Sequence, residues 1–281
     1  MPSVERMRPQ LGTFVTIRAN GGAACLPGTV AAAVESAFST INRVEQLMSF
    51  HRRASDIGRL NRARPGRYVK VHRWTFSVLR KALELSEVSG GTFDCNIGQI
   101  LVKAGLLPRS RTAAARRRQP MGKAISLIGN GLIQVNHRVS LDLGGIAKGF
   151  AVDQAVRTLR NQGMRGGVVN AGGDLRTFGP EPQPIWVRCP AAPGERRLMG
   201  YLRNGAVATS ASYFTHKDRS GGVDGSAIIN TATERQIALT GSVSVIAKTC
   251  MLADGLTKIW VLRRRIPASL RLQFQVKVIT L

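Results

Sequence analysis

Residues 142–153 read DLGGIAKGFAVD, and residues 170–174 read NAGGD. In the first stretch a short strand over residues 140–143 ends in a carboxylate, two glycines follow, and a helix begins at Ala147. Glycine lets the backbone approach a ligand closely, and the free N–H groups at a helix N-terminus favour anions. The first stretch therefore predicts an anion-binding turn, while the second, taken alone, is more typical of an Asx turn than of a ligand site.

Two other stretches combine polar and apolar residues. In residues 250–258 (CMLADGLTK) a carboxylate, Asp254, lies among apolar neighbours near the beginning of a helix. A magnesium ion takes few protein oxygens and keeps water or phosphate as its other ligands, which Asp254 and a nearby hydroxyl would suit. Capping of the helix by Thr249 and Asp254 explains the same residues without a metal. Residues 91–94 (GTFD) form a polar turn with one aromatic residue after a predicted helix.

The remaining periodicities predict an α+β fold with mixed or antiparallel sheets and packed helices, because neither a strict βα alternation nor an all-β rhythm is present. Apolar residues at helical spacing predict helices over residues 30–47, 78–88 and 147–159, and a last helix from about residue 249. Strands are predicted over residues 11–18, 68–71, 124–127, 132–135, 140–143, 168–170, 185–188, 206–210, 227–229 and 242–246, with a strand-like tail over 270–279.

The composition is that of one globular domain over residues 1–281, with a variable basic insertion at about 106–120 and a C-terminal tail at 263–281. Lys and Arg number 41 against 16 Asp and Glu, a net charge of +25. Neither interleaved aromatic residues nor a recognition helix accompanies this charge, so solvated faces explain it better than nucleic-acid binding. Attraction of a phosphorylated ligand is a further explanation.

The sequence also predicts a cytoplasmic protein without a membrane span. The chain begins about ten residues before its first motif, and that segment, MPSVERMRPQ, contains no apolar signal core. None of the four cysteines forms a C-x-x-C pair, which argues against a structural zinc site.

In order and spacing, these motifs resemble the ApbE family, the FAD:protein FMN transferases. That family has a strand beginning M-G-T, then S-x-Y, S-x-L-S-x-L-N, A-F-D-P-x-x-G, D-L-G-x-I-A-K-G-x-A-x-D, N-x-G-G-D, A-T-S-G and A-D-A-L-x-T. The chain offers LGT at 11–13, SFH at 49–51, SDIGRLN at 55–61, TFDCNIG at 92–98, the two opening stretches, ATS at 208–210 and ADGLT at 253–257. The resemblance runs from about residue 10 to about residue 262.

The resemblance implies an ApbE-like fold and a Mg²⁺-dependent transfer of FMN from FAD onto a threonine hydroxyl of an acceptor flavoprotein, with release of AMP. It implies catalytic roles for Asp254 and Lys148, and metal ligation by the Gly145 carbonyl, Asp254 and Thr257. It places the following residues at the FAD: Leu11, Ser49, His51, Thr92, Phe93, Asp94, Asp142, Lys148, Asn170, Asp174 and Ile229. It implies a monomer or homodimer that binds no nucleic acid.

The chain departs from the family pattern at several positions. The family has a threonine four residues after the metal-binding Asp, where this chain has Lys258, with Thr257 one residue earlier. One residue rotates a helical side chain by about 100°, so either Thr257 substitutes for that threonine or the Lys258 ammonium takes over part of the metal's role. The family's His and Asp of H-I-I-D-P-x-T-G align with Ala227 and Asn230, and its early Tyr with His51.

These departures leave other functions open. Water could replace the acceptor, which would give hydrolysis of FAD to FMN and AMP. The chain could also be a non-catalytic FAD-binding carrier or assembly factor for a redox enzyme. A basic nucleic-acid binder rests on net charge alone.

Overall fold

A computed structural model describes residues 1–108, 118–189, 194–211, 228–237, 239 and 241–280. In chain order the elements are β1 (Ser3–Gln10), β2 (Thr13–Asn20), α1 (Pro27–Met48), α2 (Asp56–Arg62), β3 (Tyr68–Lys70), α3 (Arg73–Val88), α4 (Gly98–Lys103), α5 (Met121–Ala124), β4 (Ile125–Gly129), β5 (Leu132–Val135), α6 (Ala147–Asn161), β6 (Gly166–Ala171), β7 (Asp174–Phe178), β8 (Gln183–Arg188), β9 (Arg196–Leu202), β10 (Ala206–Ala211), β11 (Ile229–Asn230), β12 (Arg235–Gln236), β13 (Ser242–Ala247), α7 (Cys250–Arg263), α8 (Ala268–Phe274) and β14 (Lys277–Thr280).

A seven-stranded sheet forms the centre of the fold, in the order β1-β2-β6-β7-β10-β13-β14. Every neighbouring pair in it is antiparallel. A smaller sheet, β3-β5-β4, and the pairs β8-β9 and β11-β12 surround it. This arrangement confirms the α+β prediction.

The helices α1, α6 and α7 share one apolar core with the central sheet. Alternate residues of β2 (Val15, Ile17 and Ala19) are buried in that core, as a strand with one apolar face requires. Helix α1 begins with Pro27, which suits the first turn of a helix, and it buries a stripe that includes Val30.

The opposite face of the sheet carries a second, smaller apolar cluster. Leu175 on β7 and Val207 on β10 are neighbours in the strand register and pack with Ile185 of the β8-β9 pair. The central sheet is therefore covered on both faces. Helix α6 packs against β6 and β7, and α7 packs against β7, β10 and β13.

Two predictions about local structure are wrong. Residues 140–143 form an extended loop, not a strand, because their backbone groups bond to other loops: Asp142 N–H donates to the Cys95 carbonyl (2.8 Å), and Leu141 N–H to the Asn61 side chain (2.6 Å). The tail predicted as a strand over 270–279 is the helix α8 followed by the short strand β14, since burial of Leu270 in the main core favours the helix.

Parts of other predictions lie outside the described residues, namely residues 109–117 of the basic insertion and residue 227 of one predicted strand. Among the helices that the structure describes, none combines the length and apolar character that crossing a membrane requires.

Candidate functional site

A cavity of about 400 Å³ opens where the turn before α6, the middle of α7, the loop after α3 and the end of β10 meet. Its volume lies within the range of small-molecule sites, roughly 300 to 1,000 Å³. The following residues line it: Thr92, Phe93, Asp94, Cys95, Ile97, Asp142, Gly144, Gly145, Lys148, Gly172, Thr209, Ser210, Ala211, Ile228, Ile229, Thr231, Lys258 and Leu262.

The turn over residues 142–146 forms one wall of the cavity. Buried Leu143 and Ile146 anchor it in the core, and the Gly144 N–H donates to Oδ2 of Asp142 at 3.0 Å. A Cβ atom on Gly145 would lie 3.6 Å from Cγ of Lys258 and 3.8 Å from the Phe93 ring. The backbone at Gly145 therefore lies directly against α7 and the loop after α3.

The first turns of α6 and α7 approach each other very closely. A Cβ atom on Gly149 would lie 2.3 Å from the carbonyl oxygen of Cys250, so only glycine fits at this crossing. The approach lets the Gly149 N–H donate to Oδ2 of Asp254 at 3.1 Å, across 105 residues of chain. The Gly-rich turn and the Asp254 region, which the sequence placed at one site, are thus brought together.

Asp254 is fully buried, and its carboxylate is already engaged. The Lys258 ammonium, one helical turn later, forms an ion pair with Oδ1, while Oδ2 accepts the Gly149 N–H. The Thr257 hydroxyl donates to the Asp254 backbone carbonyl at 2.7 Å and accepts from Ser210 at 2.9 Å. Of the two alternatives left open by the sequence, Lys258 is the residue that reaches the carboxylate.

A second buried carboxylate pairs with the other lysine of the cavity. Asp174 is 1% exposed and lies 2.9 Å from the Lys148 ammonium. Asp174 raises the pKa of Lys148, so this ammonium stays charged at neutral pH. Burial, together with the nearby Asp254, raises the pKa of Asp174. Two carboxylates and two ammonium groups therefore lie close together behind the Gly-rich turn.

This set of groups does not fit a resident Mg²⁺. A bound Mg²⁺ needs carboxylate or carbonyl oxygens at about 2.1 Å, but the charge of the Asp254 carboxylate is already balanced by the Lys258 ammonium at Oδ1, and Oδ2 accepts the Gly149 N–H. The Thr257 hydroxyl is turned towards Ser210 and the helix backbone. Across the described ranges, no three His, Cys, Asp or Glu side chains converge as a metal site would require.

The adjoining wall, formed by the loop after α3, is held in place by Asp94. Its carboxylate accepts hydrogen bonds from Arg118 (2.8 Å) and from the backbone N–H groups of Asn96 (2.7 Å) and Met121 (3.2 Å). Asp94 therefore fixes the loop that carries Phe93, whose ring is buried at the cavity edge. The Thr92 hydroxyl accepts from Arg263 at 2.7 Å.

Half of the residues predicted to contact the cofactor or the metal line the cavity. These are Thr92, Phe93, Asp94, Asp142, Gly145, Lys148 and Ile229. Asp174, Asp254 and Thr257 lie immediately behind that wall, in contact with lining residues.

The other four predicted residues do not line the cavity. Asn170 accepts the Gly173 N–H at 2.9 Å, which is the Asx turn that the sequence offered as an alternative. Leu11 adopts a positive φ of 57° in the β1-β2 turn. The Ser49 hydroxyl accepts the His51 N–H at 3.2 Å, in the loop that follows α1.

Some functional neighbours were not predicted. Cys95, Ile97, Ser210, Thr231 and Leu262 line the cavity, and all except Leu262 belong to stretches that the motifs included. The predicted departure at Ala227 lies outside the described residues. Asn230 is described, and its side chain accepts the N–H groups of residues 232 and 233, so it closes the β11-β12 turn.

Asp153, the last residue of the DLGGIAKGFAVD stretch, is a positioning residue that the sequence analysis missed. Its carboxylate accepts the N–H groups of Cys250 and Met251, both at 2.9 Å, and an Arg176 hydrogen bond at 2.7 Å. Burial raises the pKa of Asp153. Asp153 holds the first turn of α7, and therefore Asp254, against α6.

Curated relatives of the chain are flavin transferases. The FAD:protein FMN transferase of Vibrio cholerae is 29% identical over 231 residues, which cover 77% of this chain and 69% of the relative. The FAD:protein FMN transferase of Rhodobacter capsulatus is 31% identical over 190 residues, which cover 63% of this chain but only 36% of the relative.

Solved structures share the fold. The ApbE protein of Thermotoga maritima superposes with a TM-score of 0.83 at 25% identity, over 99% of this chain and 94% of the other. The flavin transferase ApbE of Vibrio cholerae gives a TM-score of 0.77 at 23% identity, over 99% of this chain and 93% of the other. The ApbE-like fold predicted from the motifs is therefore confirmed.

The family resemblance can be checked over nearly the whole chain. Residues 11–273 match the ApbE family, and this range contains the Gly-rich turn, the loop after α3 and the first turns of α6 and α7 that build the cavity. The chain belongs to the ApbE family.

Proposed function

We propose that this chain transfers FMN from FAD to a threonine hydroxyl of an acceptor protein and releases AMP. Membership of the ApbE family makes the chain a transferase that acts on a flavin. The observation that carries the finer proposal is the placement of two ammonium groups, on Lys148 and Lys258, beside the Gly145 backbone in one cavity. Such a wall suits a diphosphate, and the Phe93 ring beside it suits a flat aromatic ring.

The reaction is a substitution at phosphorus. The threonine oxygen bonds to the phosphorus of the FMN phosphate, and the bond from that phosphorus to the bridging oxygen breaks. AMP leaves with the bridging oxygen, and the hydroxyl proton passes to solvent. Negative charge grows on the phosphate oxygens in the transition state, where positioned cations stabilise it most. Because the acceptor supplies the nucleophile, the chain needs none of its own.

The cavity residues of this chain act by binding and orienting the FAD diphosphate. Lys148 is held by Asp174, so its ammonium is positioned before the substrate arrives. Gly144 and Gly145 carry no side chains of their own and line the cavity, so a phosphate oxygen can approach the backbone of the turn. The predicted Mg²⁺, if bound, would supply further positive charge, but it would have to displace Lys258 from Asp254.

A mass measurement tests the proposal. The purified chain is incubated with FAD and an acceptor domain that carries a threonine target, and the acceptor mass is followed. Transfer adds the mass of one FMN minus water to the acceptor and releases one AMP for each. Free FMN and AMP without labelling would show hydrolysis, and bound but intact FAD would show a carrier; either result contradicts transfer.

A variant pair locates the activity. Lys148→Met is expected to lower the transfer rate by about 10² to 10³, the usual effect of removing one positioned charge donor from a transition state. Lys277→Met removes the same charge from the exposed edge strand β14 and serves as the matched control. Equal rates in the two variants would remove Lys148 from the reaction.

A further inference from the structure

We infer that Lys258 takes the place of a divalent cation in this chain, so that the site binds the FAD diphosphate without a metal. The inference rests on the proposed function, since FAD is the ligand that it concerns. It follows from the partners of Asp254: the carboxylate is paired with an ammonium and a backbone N–H, whereas a Mg²⁺ site would use that carboxylate as a ligand.

Lys258 fills the space between the Gly-rich turn and Asp254. Its Cγ and Cε atoms lie 3.6 and 3.7 Å from the place of a Cβ on Gly145, and its ammonium pairs with Oδ1 of Asp254. Lys258 therefore neutralises the Asp254 carboxylate with its ammonium, while the stem of the same side chain packs beside Gly145. Because the Lys258 side chain is still 18% exposed and lines the cavity, its ammonium can also face a ligand there.

Asp254 depends on this partner. A fully buried carboxylate without a counter-charge costs several kcal/mol, and the other nearby lysine, Lys148, is already paired with Asp174. A divalent ion at Asp254 would therefore have to drive the Lys258 ammonium out. The displaced ammonium would remain tethered beside the ion, where like charges repel.

The exposure of the four charges favours an anionic ligand. The carboxylates of Asp174 and Asp254 are buried, with side chains 1% and 0% exposed, whereas the side chains of Lys148 and Lys258 are 33% and 18% exposed. The charges of these four side chains sum to zero, but only the two lysines line the cavity. A lysine ammonium is a compact point charge with several donors, which suits a phosphate oxygen.

Calorimetric titration of the full chain with FAD, in excess EDTA and in excess Mg²⁺, tests the inference. The wild-type affinity for FAD is expected to change less than about twofold between the two conditions. Lys258→Thr frees the Asp254 carboxylate and adds a hydroxyl, so its affinity in EDTA is expected to fall by about tenfold or more and to recover with Mg²⁺. Lys277→Thr is the matched control and is expected to behave as wild type.

The outcomes separate this inference from the proposed function. Wild-type FAD binding that is lost in EDTA and restored by Mg²⁺ would overturn the inference and leave transfer standing. Metal-independent binding without labelling of an acceptor would support the inference and contradict transfer. If FAD does not bind in either condition, both are wrong. Should Lys258→Thr not fold, Lys258→Arg, which keeps the charge, must bind FAD equally in EDTA and Mg²⁺.

Discussion

At the scale of single residues, the site is built from carboxylates that differ in their partners. Asp94 and Asp153 hold backbone N–H groups and arginines, whereas Asp174 and Asp254 each pair with a lysine that lines the cavity. Asp142 is different, because within the described residues its carboxylate accepts a hydrogen bond from one backbone N–H, that of Gly144, and pairs with no cation. Burial outweighs that bond and raises the pKa of Asp142.

The raised pKa of Asp142 predicts a pH-dependent stability. Between the unfolded value, about 3.9, and the folded value, the native state binds more protons than the unfolded state, so the free energy of unfolding falls as pH rises. Asp142→Asn keeps an acceptor for the Gly144 N–H but does not titrate. We expect this variant to be more stable than wild type at pH 7 and the difference to disappear below about pH 4.

Urea unfolding of both proteins from pH 4 to pH 8 measures this difference. Its size at pH 7 should be on the order of 1.4 kcal/mol for each unit by which burial raises the Asp142 pKa. A difference that stays constant across the pH range would contradict the pKa argument and point to a packing change instead.

At the scale of elements, the crossing of α6 and α7 positions the site. Gly149 permits the close approach, and Asp153 accepts two N–H groups at the N-terminus of α7. The first turn of a helix leaves N–H groups without partners in the helix and favours a negative charge. The carboxylate of one helix therefore fixes the beginning of the other, and both Lys148 and Asp254 depend on that contact.

Gly149→Ala tests the close approach. Its methyl group would lie 2.3 Å from the Cys250 carbonyl oxygen, so the helices must separate. We expect a loss of about 1 to 3 kcal/mol in the free energy of unfolding. Gly28→Ala, in α1 with no heavy atom within 4 Å of the added carbon, is the control and should cause no loss. Thermal unfolding compares the two, and equal midpoints would rule out a tight crossing.

Asp153→Ala tests the anchoring of α7. Removing the carboxylate leaves the Arg176 guanidinium and two helix N–H groups without their partner, which is expected to cost about 3 to 5 kcal/mol. The double variant Asp153→Ala/Arg176→Met removes the uncompensated charge and should regain part of that loss. Chemical unfolding of four proteins (wild type, Asp153→Ala, Arg176→Met and the double variant) measures the coupling, and strictly additive losses would argue against an Asp153–Arg176 pair.

At the scale of the whole molecule, the same core supports the site from several sides. Residues of α1, α6, α7 and the central sheet belong to one buried cluster, which also contains Phe93 and Leu143 from the cavity walls. We propose that residues 1–281 form one domain. Opening of any one wall would then expose the common core.

A single cooperative transition is therefore expected in calorimetry. FAD should raise its midpoint, because a ligand that binds only the native state adds about 2.7 kcal/mol at a concentration 100 times its Kd. The free chain at the same buffer composition is the reference. Two separate transitions would contradict the single domain, and a midpoint that FAD does not move would contradict flavin binding.

The sequence by itself determined the local features of this protein. Helical spacing predicted a helix over residues 30–47, and the structure has a helix over Pro27–Met48. This prediction succeeds because the spacing of apolar residues along the chain directly determines which face of a helix is apolar. The Gly-rich motifs likewise predicted Gly145 and Lys148 at the cavity. The same local reasoning failed for residues 140–143, whose backbone bonds to other loops and not to a strand.

Only the tertiary structure decided how the buried charges are paired. The sequence left Thr257 and Lys258 as alternatives beside Asp254. The choice depends on Ser210, 47 residues away on β10, which holds the Thr257 hydroxyl and leaves the carboxylate to Lys258. A buried charge pairs with the group that the packing of distant elements brings within hydrogen-bond distance. The spacing of residues along the chain does not determine the distance between such groups.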